Sequence, residues 1–500
     1  MMSARAYFGT TAAIAALSAS SVFADVTNQQ VWTDWHDYMA DFGYKVSATE
    51  ATSGDTLTIG DLSVSMDIPE EDGSITISVG EVTFTNQNDG TVAIGMPADF
   101  PVHFVVDAKE DATATLNWTS KGLSMIASGD TDQITYTYSA SMMGLSLADL
   151  EVDGEPFDSA VMELVANNYS ARSTMSNGTL RTMEQKSEAE NLSLHLGFVD
   201  PASGDNMTFK IDTTKLAFEG GARIPTGLDS EDPLEMFQAG FGFAGTFQHS
   251  GSEGELSGVA DGSPFNLTFA SAASDWNMAM DSDKFDYSGL VSDIAISAFG
   301  SELPFPVSMN AAQLGFGMLM PLAKADEHQD FGFNMHLGDL EVADILWDIF
   351  DPAKVLPRDP ATLTLDLSGK TKVLLDLMSP EAEETDDFPG ELHALTLNKM
   401  LLQVAGAKLS GDGDFTFDNS DLVSFDGMPR PTGAVDLNLM GGNGLLDKLV
   451  QMGLIPDDQA MGARMMMGLF AVPGAGEDEL NSKIEFNEEG HVLANGQRIQ

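Results

Sequence analysis

Leu57-Thr58-Ile59, followed by Leu62-Ser63-Val64-Ser65-Met66-Asp67-Ile68, alternates apolar and polar residues. Successive side chains of a β-strand point to opposite faces of a sheet, so a period of two predicts strands with one apolar face. The alternation continues through Ile75-Thr76-Ile77-Ser78-Val79, and Glu70-Glu71-Asp72-Gly73 separates the two runs as a turn. This stretch predicts an antiparallel β-meander.

The same pattern recurs along the chain, at residues 134–138, 192–198, 207–218, 363–367, 395–404, 415–417 and 435–439, and in a final hairpin with arms at 480–486 and 491–498. We therefore predict a mainly β protein with elongated antiparallel meander sheets. We divide it into two β-rich regions, 25–300 and 301–500. Pro380 to Gly390, which is acidic and bounded by proline, is either a linker or a long hairpin loop.

An N-terminal helix precedes the first strands. Thr27 is a candidate N-cap and Gly43 a stop, and the apolar residues between them recur at helical spacing. They are Val31, Trp32, Trp35, Tyr38, Met39 and Phe42. We expect the two tryptophans to pack this helix onto the sheet rather than to contact a ligand.

Few other helices are expected. A short one begins at Pro233 and ends at Gly240, and another covers 342–350. Near the carboxyl end, one helix stops at Gly453 and a second begins with Asp457 as its cap. Together they predict a short helical hairpin over 443–471.

A weak internal repeat is present. Leu116-Asn117-Trp118 and Tyr138-Ser139 have counterparts in Leu267-Thr268-Phe269 and Tyr287-Ser288. A duplicated β-unit of roughly 150 residues would produce this spacing, and so would chance similarity among meander strands.

The amino terminus has the features of a secretory signal peptide over residues 1–24. Arg5 supplies the basic segment, residues 7–17 are small and apolar, and Val22-Phe23-Ala24 forms a cleavage site before Asp25. The apolar run is shorter than the roughly 20 residues of a membrane span. We expect a periplasmic protein that is mature from Asp25 and has no stable membrane insertion.

The charge balance excludes one class of partner. With 77 acidic and 23 basic residues the formal net charge is −54, whereas nucleic-acid binding requires Lys and Arg to neutralise phosphates. The chain has no cysteine, which excludes thiolate-bound zinc, iron–sulfur clusters and a lipoprotein anchor.

No motif indicates catalysis. The eight histidines are scattered without the spacing of a helical metal site. Gly369-Lys370-Thr371 resembles the end of a phosphate-binding loop, but Thr364 stands where its first glycine should be. Asp412, Asp414, Asp418 and Asp421 look like the ligands of a calcium-binding EF-hand loop, but Gly413 comes too early for that loop and no glutamate stands at its twelfth position. We predict no catalytic residue, no metal and no cofactor, and therefore no enzyme.

Several segments carry a family resemblance. They are Val31-Trp32, Phe305-Pro306-Val307, Trp347 with Phe350-Asp351-Pro352, Leu356-Pro357-Arg358-Asp359-Pro360, Leu395-Thr396-Leu397, Gly406-Ala407-Lys408-Leu409-Ser410-Gly411, Phe415-Thr416-Phe417-Asp418, Gly433-Ala434-Val435-Asp436-Leu437 and Gly490-His491-Val492. In these the chain resembles the exported Gram-negative family catalogued as domain of unknown function 2125. The resemblance implies an envelope protein without an assigned activity. The chain is also similar, at the level of fold alone, to AsmA-like envelope proteins, whose long curved sheets are associated with lipid handling.

One functional hypothesis follows from a mismatch between strands and helices. Each alternating sheet has an apolar face that needs a cover, and the helices are too few to supply it. We therefore predict a non-enzymatic envelope protein that binds an apolar or amphipathic ligand such as lipid, with Met465, Met466 and Phe470 bordering the binding groove. The 28 methionines and 29 phenylalanines suit such a surface. The alternatives are a structural or assembly factor, whose sheets cover one another, and a hydrolase of envelope polymers.

Overall fold

A computed structural model describes residues 25–68, 73–109, 111–227, 233–301, 303, 305–383 and 389–500. The signal-peptide prediction for residues 1–24 lies outside them. The helices are α1 (Asn28–Asp41), α2 (Pro233–Gln238), α3 (Asp344–Phe350), α4 (Pro380–Glu383), α5 (Gly442–Gln451) and α6 (Asp457–Phe470).

All strands belong to one antiparallel sheet. They are β1 (Lys45–Ser53), β2 (Thr56–Ile68), β3 (Gly73–Val79), β4 (Val82–Asn86), β5 (Val92–Gly95), β6 (Asp99–Asp107), β7 (Ala112–Lys121), β8 (Ser124–Gly129), β9 (Gln133–Val152), β10 (Glu155–Pro156), β11 (Val161–Ser176), β12 (Leu180–Val199), β13 (Asn206–Pro225), β14 (Gly242–His249), β15 (Ser252–Ala260), β16 (Ser263–Ser271), β17 (Ala273–Met280), β18 (Lys284–Gly300), β19 (Val307–Pro321), β20 (Gln329–Val342), β21 (Ala361–Val373), β22 (Gly390–Val404), β23 (Ala407–Asp418), β24 (Arg430–Met440), β25 (Val472–Pro473), β26 (Glu479–Phe486), β27 (Val492–Ala494) and β28 (Gln497–Arg498). The predicted mainly β fold, with an antiparallel meander and helices at both ends, is confirmed.

The sheet is a meander with two split sections. From β9 the order runs β11, β12, β13, and from β18 it continues through β24 to β26, each strand hydrogen-bonded to the next. Between β2 and β9, and again between β13 and β18, each position is filled by two shorter strands laid end to end. In both sections two short strands pair with successive halves of one long strand, β7 and β8 with β9, and β16 and β17 with β18. The weak sequence repeat falls on these corresponding strands.

At the level where the short strands meet end to end, the long strands have a local backbone irregularity, which we call the crease. In five strands it is occupied by a residue with positive φ, namely Asp61, Asn168, Lys215, Asp293 and Asp339. Strand β12 lies between β11 and β13, and Asn168 of β11 and Lys215 of β13 are level with the same residue of β12. In the same way, Asp293 of β18 and Asp339 of β20 are level with one residue of the intervening strand β19. Aspartate and asparagine tolerate this left-handed conformation better than most residues, which favours them at four of the five positions.

The crease explains a slip in the sequence alternation. Apolar positions three residues apart flank it on each strand, for example Ile59 and Leu62 in β2 or Val291 and Ile294 in β18. In the pairs β9–β11, β12–β13 and β18–β19 both strands take one extra residue at this level, so the register is the same on both sides. The apolar residues of these strands therefore stay on one face of the sheet across the crease. The pairs from β20 to β23 have register shifts instead.

The hydrophobic core lies where α1 covers this face. Thr27 caps α1 and exchanges hydrogen bonds with Gln30 in a capping box, as a helix start requires. Trp32 is buried against Phe84, with ring centroids 6.1 Å apart. The buried cluster comprises Val26, Val31, Trp32, Leu57, Ile59, Leu62, Val82, Phe84, Val92, Ile94, Met125, Ala127, Ile134, Tyr136 and Met175. The prediction that the tryptophans fasten α1 to the sheet is confirmed.

Helices α5 and α6 lie near the carboxyl end, whereas α2, α3 and α4 lie between strands earlier in the chain. The predicted hairpin is present as α5 and α6, which pack on each other and on β23 and β26. The helix predicted to start at Val342 begins instead at Asp344, because Val342 still pairs with Met309 in the sheet. None of the helices in the described ranges is long and apolar enough to cross a bilayer.

Candidate apolar binding face

The face that α1 covers continues as an apolar surface through the carboxyl-terminal half of the sheet. One row of directly paired residues crosses nine neighbouring strands without a charged side chain, and we call it the inner row. Its members are Met278, Tyr287, Met318, Phe333, Leu367, Leu397, Gly413, Val435 and Ile484. At strand spacings of about 4.8 Å it extends roughly 40 Å.

Pairing also fixes which face the inner row occupies. From Met278 the row continues across β14, β13, β12 and β11 to Tyr136, which is buried beneath α1. Opposed residues of an antiparallel pair point to the same side of the sheet. The inner row and the core under α1 are therefore parts of one face of the sheet, which we call the inner face.

The opposite face of the sheet, which we call the outer face, is polar. The outer row, displaced by one residue along each strand, contains three carboxylates and no aromatic residue. Its members are Ala279, Asp286, Leu319, Gly332, Ser368, Thr396, Asp414, Ala434 and Glu485. The alternation seen in the sequence thus separates a charged surface from an apolar one.

Exposure shows how far protein covers the apolar face. Beneath α1, Leu57, Phe84 and Tyr136 are at most 1 % exposed. No member of the inner row is buried, and Met278 is 41 % exposed. A continuous row of residues that all remain partly exposed indicates that no second protein layer covers this part of the sheet within the described chain.

Several large side chains on this face lie flat against it. Phe269 in β16 is opposite Gly254, and Trp276 in β17 is opposite Gly289, so closely that a β-carbon on either glycine would overlap the ring. Phe331 covers Gly369 in the same way. A glycine leaves room for the neighbouring ring to lie across the backbone. At these pairs the surface of the sheet is formed by aromatic rings that lie parallel to the backbone.

A pocket of about 370 Å³ opens on the inner face at the side of α1, and its lining combines thioether, aromatic and uncharged polar groups. The lining residues are Trp35, Tyr38, Met39, Tyr136, Tyr138, Tyr169, Ala171, Ser173, Met175, Met183 and Gln185. Burial raises the pKa of Tyr136, Tyr138 and Tyr169 above the ordinary value of 10.0. These hydroxyls therefore stay protonated and add no charge to the pocket, although that of Tyr136 already donates its proton to Asp34.

The wall beside the pocket is held by a buried ion network. Arg181 of β12 places Nη1 3.0 Å from Oδ1 of Asp34 in α1, and both side chains are nearly inaccessible. The Tyr136 hydroxyl donates to the other carboxylate oxygen of Asp34 at 2.6 Å. Arg181 Nε also lies 3.2 Å from Asp41 Oδ2, as an ion pair without hydrogen-bond geometry. The network fixes α1 over one end of the apolar face.

A cleft of about 870 Å³ lies among outer-face residues, and its lining is charged. Its lining includes Arg172, Lys186 and Arg223 together with Glu184 and Glu219. Lys186 Nζ lies 3.7 Å from Glu219. Because the two signs alternate, this cleft lacks the single sign of charge that would select an ionic ligand.

The three residues predicted to border a groove lie on or beside α6. Met465 and Met466 are 74 % and 54 % exposed, whereas Phe470 is partly buried. The Phe470 carbonyl accepts hydrogen bonds from Ser482 and Asn495 at 2.6 and 2.9 Å. Ser482 pairs with Leu437 on the inner face, so the end of α6 adjoins that face.

Sequence reasoning missed the inner row and the tyrosine pocket. The alternation marked which residues of each strand are apolar, but only the pairing register places them side by side. Tyr138 and Tyr287 belong to the weak sequence repeat, and both lie on the inner face. Within the described ranges no group of three or more histidine and carboxylate side chains is placed to hold a metal ion.

Comparison with known proteins supports the family resemblance. No curated protein matches the chain. A family model described as "Uncharacterized protein conserved in bacteria (DUF2125)" matches residues 243–496, from β14 to the turn after β27. This covers half of the chain, including the whole inner row. The protein belongs to the DUF2125 family of uncharacterized proteins conserved in bacteria.

Proposed function

We propose that the protein is a non-enzymatic binding protein for an apolar or amphipathic ligand of the cell envelope, such as a lipid, which lies on the inner face. The carrying observation is the inner row, nine paired residues without a charge, none of them buried and Met278 exposed, beside a buried core on the same face. Apolar area left in water at this scale is unusual unless it binds something.

The arrangement favours an amphipathic ligand over a purely apolar one. The inner row supplies apolar contacts, and the pocket beside α1 supplies the tyrosine hydroxyls with Ser173 and Gln185. Apolar walls with a few uncharged polar groups are typical of sites for such ligands. The side chains are also adaptable, since Met278, Met318 and the flat rings can accept varied shapes.

The location of the protein is part of the same proposal. The sequence features of residues 1–24 support export, and the acidic outer face suits a protein that remains in solution between membranes. We therefore propose that the protein works in the periplasm. Sequencing the amino terminus of protein isolated from its native cells tests this, and a retained Met1 would contradict it.

Ligand binding is tested with a fluorescent fatty acid and two matched variants. Met278→Lys places a charge on the inner face at a residue that is 41 % exposed, and Leu290→Lys does so on the outer face at 40 % exposure. Leu290 lies opposite Asp275 and Gly315, which places it on the other side of the sheet from Gly289. We expect Met278→Lys to weaken binding by roughly tenfold or more, because a cation opposes apolar burial, and Leu290→Lys to leave it unchanged.

The proposal fails if delipidated protein does not bind the probe. It also fails if the two lysine variants weaken binding equally, because a general effect of charge would then explain the loss. Lipid mass spectrometry of protein purified from the native envelope identifies the ligand.

A further inference from the structure

Helix α6 presents an apolar stripe that has no partner within the described chain. Met461, Met465 and Leu469 follow one another at intervals of four residues, and their exposures are 69, 74 and 55 %. Residues at this spacing lie on one side of a helix. Val472 in β25, two residues after the end of α6, is also exposed, at 46 %.

The stripe lies in a segment free of acidic residues. From 459 to 476 there is no aspartate or glutamate, although the chain contains 77 acidic residues in 500. The segment's one cation, Arg464, is paired with Asp447 of α5. The nearest carboxylates along the helix are Asp457 and Asp458 in its first turn, four and three residues before Met461. The stripe is thus an uncharged surface on a strongly acidic protein.

We infer that the α6 stripe docks the protein on the surface of a lipid bilayer. Short amphipathic helices bind at the interface by burying apolar side chains between head groups. The choice of a bilayer rests on the proposed function, because a ligand held on the inner face has to be exchanged with a membrane. Ser482, which holds the end of α6, belongs to that face. The stripe therefore places the carboxyl end of the apolar face against the lipid.

Charge predicts which bilayer is preferred. The net charge of −54 repels anionic head groups, so affinity comes from apolar burial alone. Binding should be stronger on phosphatidylcholine vesicles than on vesicles containing phosphatidylglycerol. Raising the salt concentration should reduce that difference by screening the repulsion.

Flotation of the purified protein with these vesicles tests the inference. The variant Met461→Glu with Met465→Glu adds two charges to the stripe. The control is Met428→Glu, which changes a 64 % exposed methionine in the loop between β23 and β24, at the other end of those strands from α5. We expect the α6 variant to lower partitioning at least tenfold and the control to lower it less than twofold.

The outcomes separate docking from ligand binding. If docking is correct, the α6 variant still binds the fluorescent fatty acid while losing vesicles, and Met278→Lys shows the reverse. Docking is overturned if the wild-type protein does not float, or if Met428→Glu reduces flotation as much as the α6 variant. It is also overturned if the α6 variant changes the oligomeric state in light scattering but floats normally, because the stripe would then be a protein interface. Unchanged circular dichroism and thermal unfolding confirm that each variant is folded.

Discussion

Replacing Arg181 should release α1 from the sheet. Its guanidinium lies between Asp34 and Asp41, at 3.0 and 3.2 Å, and Asp34 and Arg181 retain only 2 and 6 % of their side-chain exposure. Arg181→Met keeps most of the apolar volume and leaves the Asp34 carboxylate buried without its cation. Removing one partner of a buried ion pair costs about 3–5 kcal/mol.

The control lies on the same strand. Lys186 forms ion pairs at 3.7 and 3.9 Å, but its side chain is 60 % exposed. Exposed pairs contribute about 0–1 kcal/mol, so Lys186→Met should have little effect. The two variants remove one cation each and differ in burial.

Hydrogen exchange measured by mass spectrometry is the appropriate assay, because it reports on α1 separately from the long sheet. We expect amides of residues 28–41 to exchange roughly two to four powers of ten faster in Arg181→Met, which is the equivalent of 3–5 kcal/mol. The reasoning is refuted if α1 keeps its protection in this variant, or if Lys186→Met loses as much. A further change, Asp34→Asn in the Arg181→Met background, should restore part of the protection by removing the unpaired charge.

Other perturbations test the same structural account. Tyr136→Phe removes one buried hydrogen bond and should destabilise α1 by about 1–3 kcal/mol in the same assay. Burial raises the pKa of Tyr136 above 10.0. The stabilisation of α1 by this hydroxyl should therefore be present in the wild-type protein below pH 10 and be lost as the pH rises further. In Tyr136→Phe the stability of α1 should not show this loss. Hydrogen bonds from Ser420 and Arg430 lower the pKa of Asp418 from 3.8 to about 2. Their contribution to the stability of the loop after β23 is therefore present above pH 3.8 and lost as the pH falls toward 2. Limited acid proteolysis of this loop should increase over the same pH range, and Asp418→Asn should abolish the pH dependence. Gly289→Val should displace the indole that lies over this glycine and red-shift tryptophan emission, with an unchanged spectrum as the contrary result.

The sheet could be predicted from sequence because alternation is local. Leu57, Ile59 and their successors identify strands without reference to any partner. The end of β20 could not be located in this way, since Val342 reads equally well as strand or helix and only its pairing with Met309 decides. Helix α1 was correctly bounded because its cap at Thr27 and its stop at Gly43 are also local signals.

The candidate site could not be predicted to the same extent, because it depends on register and on distant pairs. Arg181 lies 147 residues from Asp34, and nothing near either residue indicates the other. The inner row takes one residue from each of nine strands, so its continuity is invisible until every pairing is fixed. The sequence predicts that Met465 and Met466 border a binding groove, but their exposure depends on how α5 and α6 pack.

The high negative charge and the apolar face can occur in one protein because of the geometry of the β-strand. A strand places alternate residues on opposite faces, so carboxylates such as Asp286 and Asp414 can stand one position from Tyr287 and Gly413 without facing the same surroundings. The carboxylates of the outer face repel other negatively charged surfaces. That repulsion acts through the outer face, while the inner face remains open to an uncharged chain. A single extended sheet of this kind can therefore expose apolar surface to a ligand without a second layer of protein, provided that the register keeps the two rows apart across the crease.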